Sequence, residues 1–146
     1  MKNTASDCPK VFLDTNIILD YLGERTSDIP VLEMLVEASL DNKITLVTAA
    51  HSLTNIFYIV RKIFSDEERI LIIKSICGIC KVHPVSGETI EKAIDSGYTS
   101  DLEDALQIQC ALESDCSFFI TRDRDLFRNC PVRTLLPQEL IRELSI

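Results

Sequence analysis

A chain of 146 residues, 46% hydrophobic and 26% charged, has the size and balance of one globular domain with a core of its own. Its net charge of −8 excludes indiscriminate binding to phosphate backbones; nucleic acid remains open only through local basic groups or acids neutralised by metal. No apolar run reaches the roughly 18 residues of a bilayer span, and residues 1–10 lack the apolar stretch of a signal peptide, so a cytoplasmic protein with no membrane partner is expected.

The first element is a short apolar run, Val11-Phe12-Leu13, which reads as a buried strand and ends on Asp14. Ile17, Ile18, Tyr21 and Leu22 follow at helical spacing, so Asp14 lies where a strand turns into a helix. In an open α/β sheet that is where ligands and reacting groups gather. An acid there is also a good helix cap, and both readings stand at this point. Asp20, on the same helix, is expected to face solvent. Gly23 is a candidate helix end, and residues 24–27 read as a polar connection.

A second helix starts at Ser27-Asp28-Ile29-Pro30, carries Leu32, Leu35, Val36 and Leu40 on one face, and stops around residues 41–42. Residues 44–47 form a β-branched strand candidate. From about Ala49 a third helix places Leu53, Ile56, Phe57, Val60 and Phe64 at three- and four-residue spacing. His51, near the strand-to-helix junction on the same edge as Asp14, reads as a cap or a surface residue more readily than as a general base. Ser65 to Glu68 has capping-box spacing ahead of the apolar run 70–79, which is broader than one core-facing stripe requires: a dimer surface or a well-buried helix.

Residues 81–85 read as a weak strand, and Pro84 suggests a sheet edge or a strand end. A helix from Ser86 or Gly87 ends at Gly97. Another starts at Ser100, with capping-box spacing from Ser100 to Glu103, and runs to about Glu113. Residues 117–121 form a strand whose Phe118 and Phe119 belong to the core. The charged turn Arg122-Asp123-Arg124-Asp125 follows, then a strand at 132–135 and a terminal helix with Pro137 in its first turn. The cysteines at 8, 77, 80, 110, 116 and 130 read as free thiols. Cys77 and Cys80 have paired spacing, but no second close pair exists and only His51 and His83 offer imidazoles.

Strands alternating with helices predict a single domain, a three-layer α/β/α sandwich around a mainly parallel sheet of four to five strands. Its core spans about residues 10–136, and a short helix covers 137–146. Such a sheet brings the strand-end acids Asp14 and Asp123 to one edge. Asp101 and Asp104, three apart at a helix start, share a face. Carboxylates packed together repel unless a cation compensates them, and oxygen-only ligands favour Mg²⁺ or Mn²⁺.

Four segments together resemble the PIN domain, closest to its VapC-type toxin branch: Leu13-Asp14-Thr15-Asn16, Leu53-Thr54-Asn55-Ile56-Phe57-Tyr58, Asp101-Leu102-Glu103-Asp104-Ala105-Leu106-Gln107 and Ile120-Thr121-Arg122-Asp123. The resemblance spans about residues 11–136 in order. It implies a Mg²⁺- or Mn²⁺-dependent endoribonuclease, the toxin of a toxin–antitoxin pair, with RNA as substrate, an antitoxin as partner and a homodimeric state. Asp14, Asp104 and Asp123 match the catalytic and metal-holding acids, and Asn16 and Thr121 match supporting polar positions. Asn55 stands where many PIN nucleases have a glutamate, so this position brings less charge; Glu103 and Asp101 are candidates to supply it, although Glu103 has a competing role as capping acid. The alternative function is a catalytically silent PIN-like module that binds RNA or protein. A phosphorylated Asp14, as in haloacid dehalogenase-type phosphotransferases, would want a second Asp where Asn16 stands.

Overall fold

The computed structural model describes residues 8–23 and 26–146, so the connection expected at 24–27 lies partly outside the described residues, as does most of the polar stretch 1–10. In chain order the elements are β1 (Lys10–Leu13), α1 (Thr15–Leu22), α2 (Ile29–Leu40), β2 (Thr45–Ala49), α3 (Ala50–Ile59), α4 (Asp66–Ile79), β3 (Cys80–His83), α5 (Gly87–Ser96), α6 (Leu102–Glu113), β4 (Phe118–Ile120), β5 (Arg133–Leu135) and α7 (Pro137–Leu144). A short 3-10 turn, Val60–Lys62, ends α3 earlier than its apolar spacing through Phe64 predicts.

All pairings are parallel, and the strand order is β3-β2-β1-β4-β5. β3 is an edge strand ending just before Pro84, as a residue lacking an N–H requires of a ladder. β1 is central. The chain leaves it toward β2 on one side and returns as β4 on the other, so β1 and β4 flank the point where strand order reverses.

Side chains alternate across the sheet, and both faces are buried. Val11, Leu13, Leu46, Ile120 and Leu135 pack with Ile17 of α1, Leu32 and Leu35 of α2, Ile56 of α3, Ile76 of α4 and Leu140 of α7. Phe12, Val47 and Phe119 point the other way, into Ile108, Cys110 and Ala111 of α6 and Phe127. Phe12 stacks on Phe119 with ring centroids 5.2 Å apart. The result is a three-layer α/β/α sandwich. Phe119 is fully buried and Phe118 half-buried under the guanidinium of Arg133.

The capping box at the start of α4 forms, Ser65 accepting from the Glu68 N–H and Glu68 from the Ser65 N–H. The one expected at Ser100 does not. Asp101 is the N-cap of α6, its carboxylate accepting from the Asp104 N–H at 3.1 Å. Glu103 is thereby free of capping.

Asp20 also departs from expectation. It is half-buried, and its Oδ2 takes the Arg122 Nε–H at 2.8 Å while Arg122 Nη1 reaches Asp28 Oδ2 at 2.5 Å, tying α1 to the start of α2. The six cysteines are free thiols; burial pushes Cys80 and Cys110 up to about 12, leaving both thiols protonated. Among the described residues no helix is long and apolar enough to cross a membrane.

Candidate active site

Because every strand is parallel, the carboxyl ends of β1, β2 and β4 open on one edge, each delivering a polar group. β1 delivers Asp14, whose N–H bonds the Ile120 carbonyl at 2.9 Å and whose side chain is 2% exposed. Asp14 both caps and faces the site. Its Oδ1 takes the Asn16 N–H at 3.4 Å and the Gln107 Nε2–H at 3.2 Å, and its Oδ2 takes the Thr121 hydroxyl at 2.8 Å. A carboxylate has about four lone-pair directions, so one remains for a further partner. Burial raises the pKa of Asp14 above the usual aspartate value, against the opposing hydrogen bonds from Thr121, Gln107 and the Asn16 N–H.

β2 leads directly into α3, whose first turn brings His51 and Ser52 to the same place. The buried Thr15 hydroxyl donates to Ser52 Oγ at 2.8 Å and lies 3.2 Å from both Glu103 Oε1 and Gln107 Oε1. His51 Nε2 stands 3.4 Å from Glu103 Oε1. Asn55, one turn further, is half-buried on the same face of α3.

α6 supplies the remaining groups from its first two turns. Glu103 points inward toward α1 and α3. Gln107, one turn on, donates to Glu103 Oε2 at 3.1 Å and accepts the Thr15 N–H at 2.9 Å. Asp101, Glu103 and Asp104 each offer a carboxylate oxygen, all within 4.8 Å of one another. Burial would push Glu103 up, but the neighbouring His51 ring, Asp104 and the Thr15 hydroxyl outweigh it and hold its pKa below the usual glutamate range. Asp104 is pushed up to about 7 by burial, by a hydrogen bond to Glu103 that only its protonated form can make, and by the charges of Glu103, Asp101 and Asp14.

Of the residues singled out in the sequence, Asp14, Thr121, Asp101, Glu103 and Asp104 come together. Asp123 is more distant in role. It is exposed, its Oδ1 caps the Leu126 N–H at 3.1 Å, and its N–H donates to Thr121 Oγ1 at 3.0 Å, so it joins Asp14 only through Thr121. Asn16 is exposed and contributes its backbone N–H. Gln107, Ser52, Thr15 and His51 are the additions. The signal for Gln107 was a polar residue inside Ala105-Leu106-Gln107-Ile108, a stretch buried all round.

The donor set suits a divalent cation. Three carboxylates crowd within 4.8 Å of one another, where burial and then like charge push Asp104 toward protonation, and all are hard oxygen ligands. The sequence matches the PIN domain family over residues 10–125. It is 31% identical over 124 residues to Ribonuclease VapC1 of Aquifex aeolicus (strain VF5), covering 81% of this chain and 84% of that protein. The solved structure of VapBC-1 from nontypeable Haemophilus influenzae is similar with a TM-score of 0.68 at 17% identity, over 88% of this chain and 98% of that one. The Sarcin-Ricin loop cleaving toxin VapC20 of Mycobacterium tuberculosis is similar with a TM-score of 0.60 at 13% identity, over 80% and 92%. At these identities the solved structures speak for the fold.

Proposed function

This chain is a member of the PIN domain family, in its VapC-like branch, and on that footing we propose that it is a metal-dependent endoribonuclease, the toxin of a toxin–antitoxin pair. The observation that carries this reading is the cluster of Asp101, Glu103 and Asp104, tied to Asp14 at the carboxyl edge of the sheet by Gln107, which donates to both Asp14 and Glu103. Asp14, Asp104 and Glu103 would hold Mg²⁺ or Mn²⁺, with Asp101 beside them and Asp123 at the rim. Such an ion, when bound, lowers the pKa of a water and offsets charge developing on a phosphodiester. Thr121 and Gln107 orient Asp14; Thr15 and His51 orient Glu103. A carboxylate of this set accepts the proton of the attacking water as the phosphorus–oxygen bond forms and the opposite one breaks.

The test is cleavage of a pool of structured and unstructured RNA with Mg²⁺, Mn²⁺ or EDTA, comparing the wild type with Asp14→Asn and Asp104→Asn. Metal-dependent cuts lost in both variants support the reading. Cleavage surviving in either variant, free of contaminating nuclease, removes that residue from the chemistry. Silence without metal binding makes the chain a binding module.

The antitoxin belongs to the same reading. An apolar groove of about 320 Å³ lies between α1, α2 and α4, lined by Ile17, Tyr21, Leu32, Val36, Leu71 and Ile72, and Leu71 is 62% exposed. The broad apolar run of α4 therefore faces a groove as well as the core, which suits a partner's apolar helix face. Leu71→Glu is expected to release such a partner and leave cleavage by the isolated chain unchanged.

A further inference from the structure

Gln107 is fully buried, and both of its amide N–H donors are turned on the acids. The Thr15 N–H can only donate, so it fixes which end of the amide is oxygen: Oε1 accepts from it at 2.9 Å. The amide nitrogen then faces two carboxylates, Asp14 Oδ1 at 3.2 Å and Glu103 Oε2 at 3.1 Å, and gives each one proton. A single neutral side chain thus spans an acid from the end of β1 and an acid from the first turn of α6, 89 residues apart in sequence.

The chemical type matters as much as the reach. Leucine or methionine would fill the space and donate nothing. Lysine would satisfy both carboxylates but cancel charge that a metal ion needs. A glutamate would add one more like charge to a crowded cluster. Only an amide of this length donates twice, accepts once and leaves the carboxylates' charge intact.

We propose that Gln107 is the positioning residue of the metal site, a neutral strut that sets the spacing and orientation of Asp14 and Glu103 while keeping their negative charge available to a divalent cation. This rests on the metal-dependent reading above. Partners that orient metal ligands without touching the ion typically control affinity by about 10–100-fold.

The experiment is calorimetric titration of Mn²⁺ into wild type, Gln107→Met and Gln107→Lys, with melting in EDTA and RNA cleavage kinetics alongside. Gln107→Met is expected to bind Mn²⁺ about 10–100-fold more weakly, with kcat falling and KM for RNA little changed. Gln107→Lys, which sets a positive charge against the same two carboxylates, is expected to bind no Mn²⁺ and serves as the control that Asp14 and Glu103 face the ion; the weakened affinity of a Met variant that melts near the wild type in EDTA is what a purely structural role would not produce. Wild-type affinity in a folded Met variant, or in the Lys variant, overturns the role of Gln107. Should the Met variant not fold, Gln107→Asn, which keeps the amide but shortens its reach to Asp14 and Glu103, decides by the same weakened Mn²⁺ affinity. A wild type that binds no Mn²⁺ overturns the metal reading itself, and this inference with it.

Discussion

The Thr121 hydroxyl donates to Asp14 Oδ2 at 2.8 Å, between two buried side chains, and accepts the Asp123 N–H at 3.0 Å. One hydroxyl therefore fixes the carboxylate at the end of β1 and the turn leaving β4. Thr121→Val keeps the shape and removes the hydroxyl. A hydrogen bond to a charged group is worth about 1.5–3 kcal/mol, and the Asp123 N–H, beside an exposed residue, turns to water at little cost. The expected loss of stability is about 1.5–3 kcal/mol, read from the midpoint of urea unfolding at unchanged slope. An unchanged midpoint would show that Asp14 relaxes onto other donors.

Arg122 joins Asp20 on α1 to Asp28 at the start of α2, with all three side chains partly buried. Exposed pairs contribute about 0–1 kcal/mol, and breaking fully buried ones costs about 3–5. This bridge lies between, so Arg122→Ala is expected to destabilise by about 1–2 kcal/mol. Arg122→Lys should recover only part, since one ammonium cannot reproduce two divergent N–H directions. Urea unfolding of the two variants at low and high salt checks this; equal stability of all three proteins would make the bridge incidental.

What could be read in the sequence was whatever repeats or sits next door. The continuous apolar run of β1, helical spacing in α3 and the local box of Ser65 with Glu68 each need only a few neighbouring residues, and each is present. Asp14 was legible because its place follows from the strand that ends on it. Gln107, His51 and the Asp20–Arg122 pair were not, because their partners lie 93, 52 and 102 residues away. The local pattern at 100–104 misled in an instructive way. Ser100 to Glu103 and Asp101 to Asp104 have the same spacing, and the fold used the second, turning Glu103 inward.

The pKa shifts set a pH dependence for the metal-free protein. Asp104 is raised from 3.8 to about 7, and Asp14 is raised as well, so between those values the folded chain holds protons that the unfolded chain has released. Stability contributed by Asp104 is therefore greatest at low pH and is lost as pH rises through about 7, and Asp14, raised by burial, acts in the same direction. Glu103, held low, acts oppositely and only below its unfolded value of 4.5. In EDTA, the wild-type melting temperature relative to Asp104→Asn should fall from pH 5 to pH 8. Saturating Mn²⁺ should restore it at pH 8. A difference that rises with pH, or stays flat, would show that Asp104 ionises as an ordinary aspartate.

The start of α6 separates capping from chemistry by substitution. Asp101 accepts the Asp104 N–H, so Asp101→Ala should cost about 0.5–2 kcal/mol, whereas Asp101→Asn, an equally good cap, should cost little. Ser100→Ala should be neutral, since Ser100 is not the cap. Glu103→Gln keeps the size of a side chain that does no capping but removes a charge sitting against Thr15, Gln107 and His51. If Glu103 holds the metal, that variant loses Mn²⁺ affinity and cleavage outright, while its melting temperature in EDTA falls only modestly, by the favourable contacts that hold the Glu103 pKa low. Asp123→Asn, whose carboxylate caps an exposed turn, should move affinity less. Calorimetry and melting of these variants rank the acids directly. A larger loss in Asp123→Asn than in Glu103→Gln would place the ion on the β4 side of Asp14 instead of the α6 side.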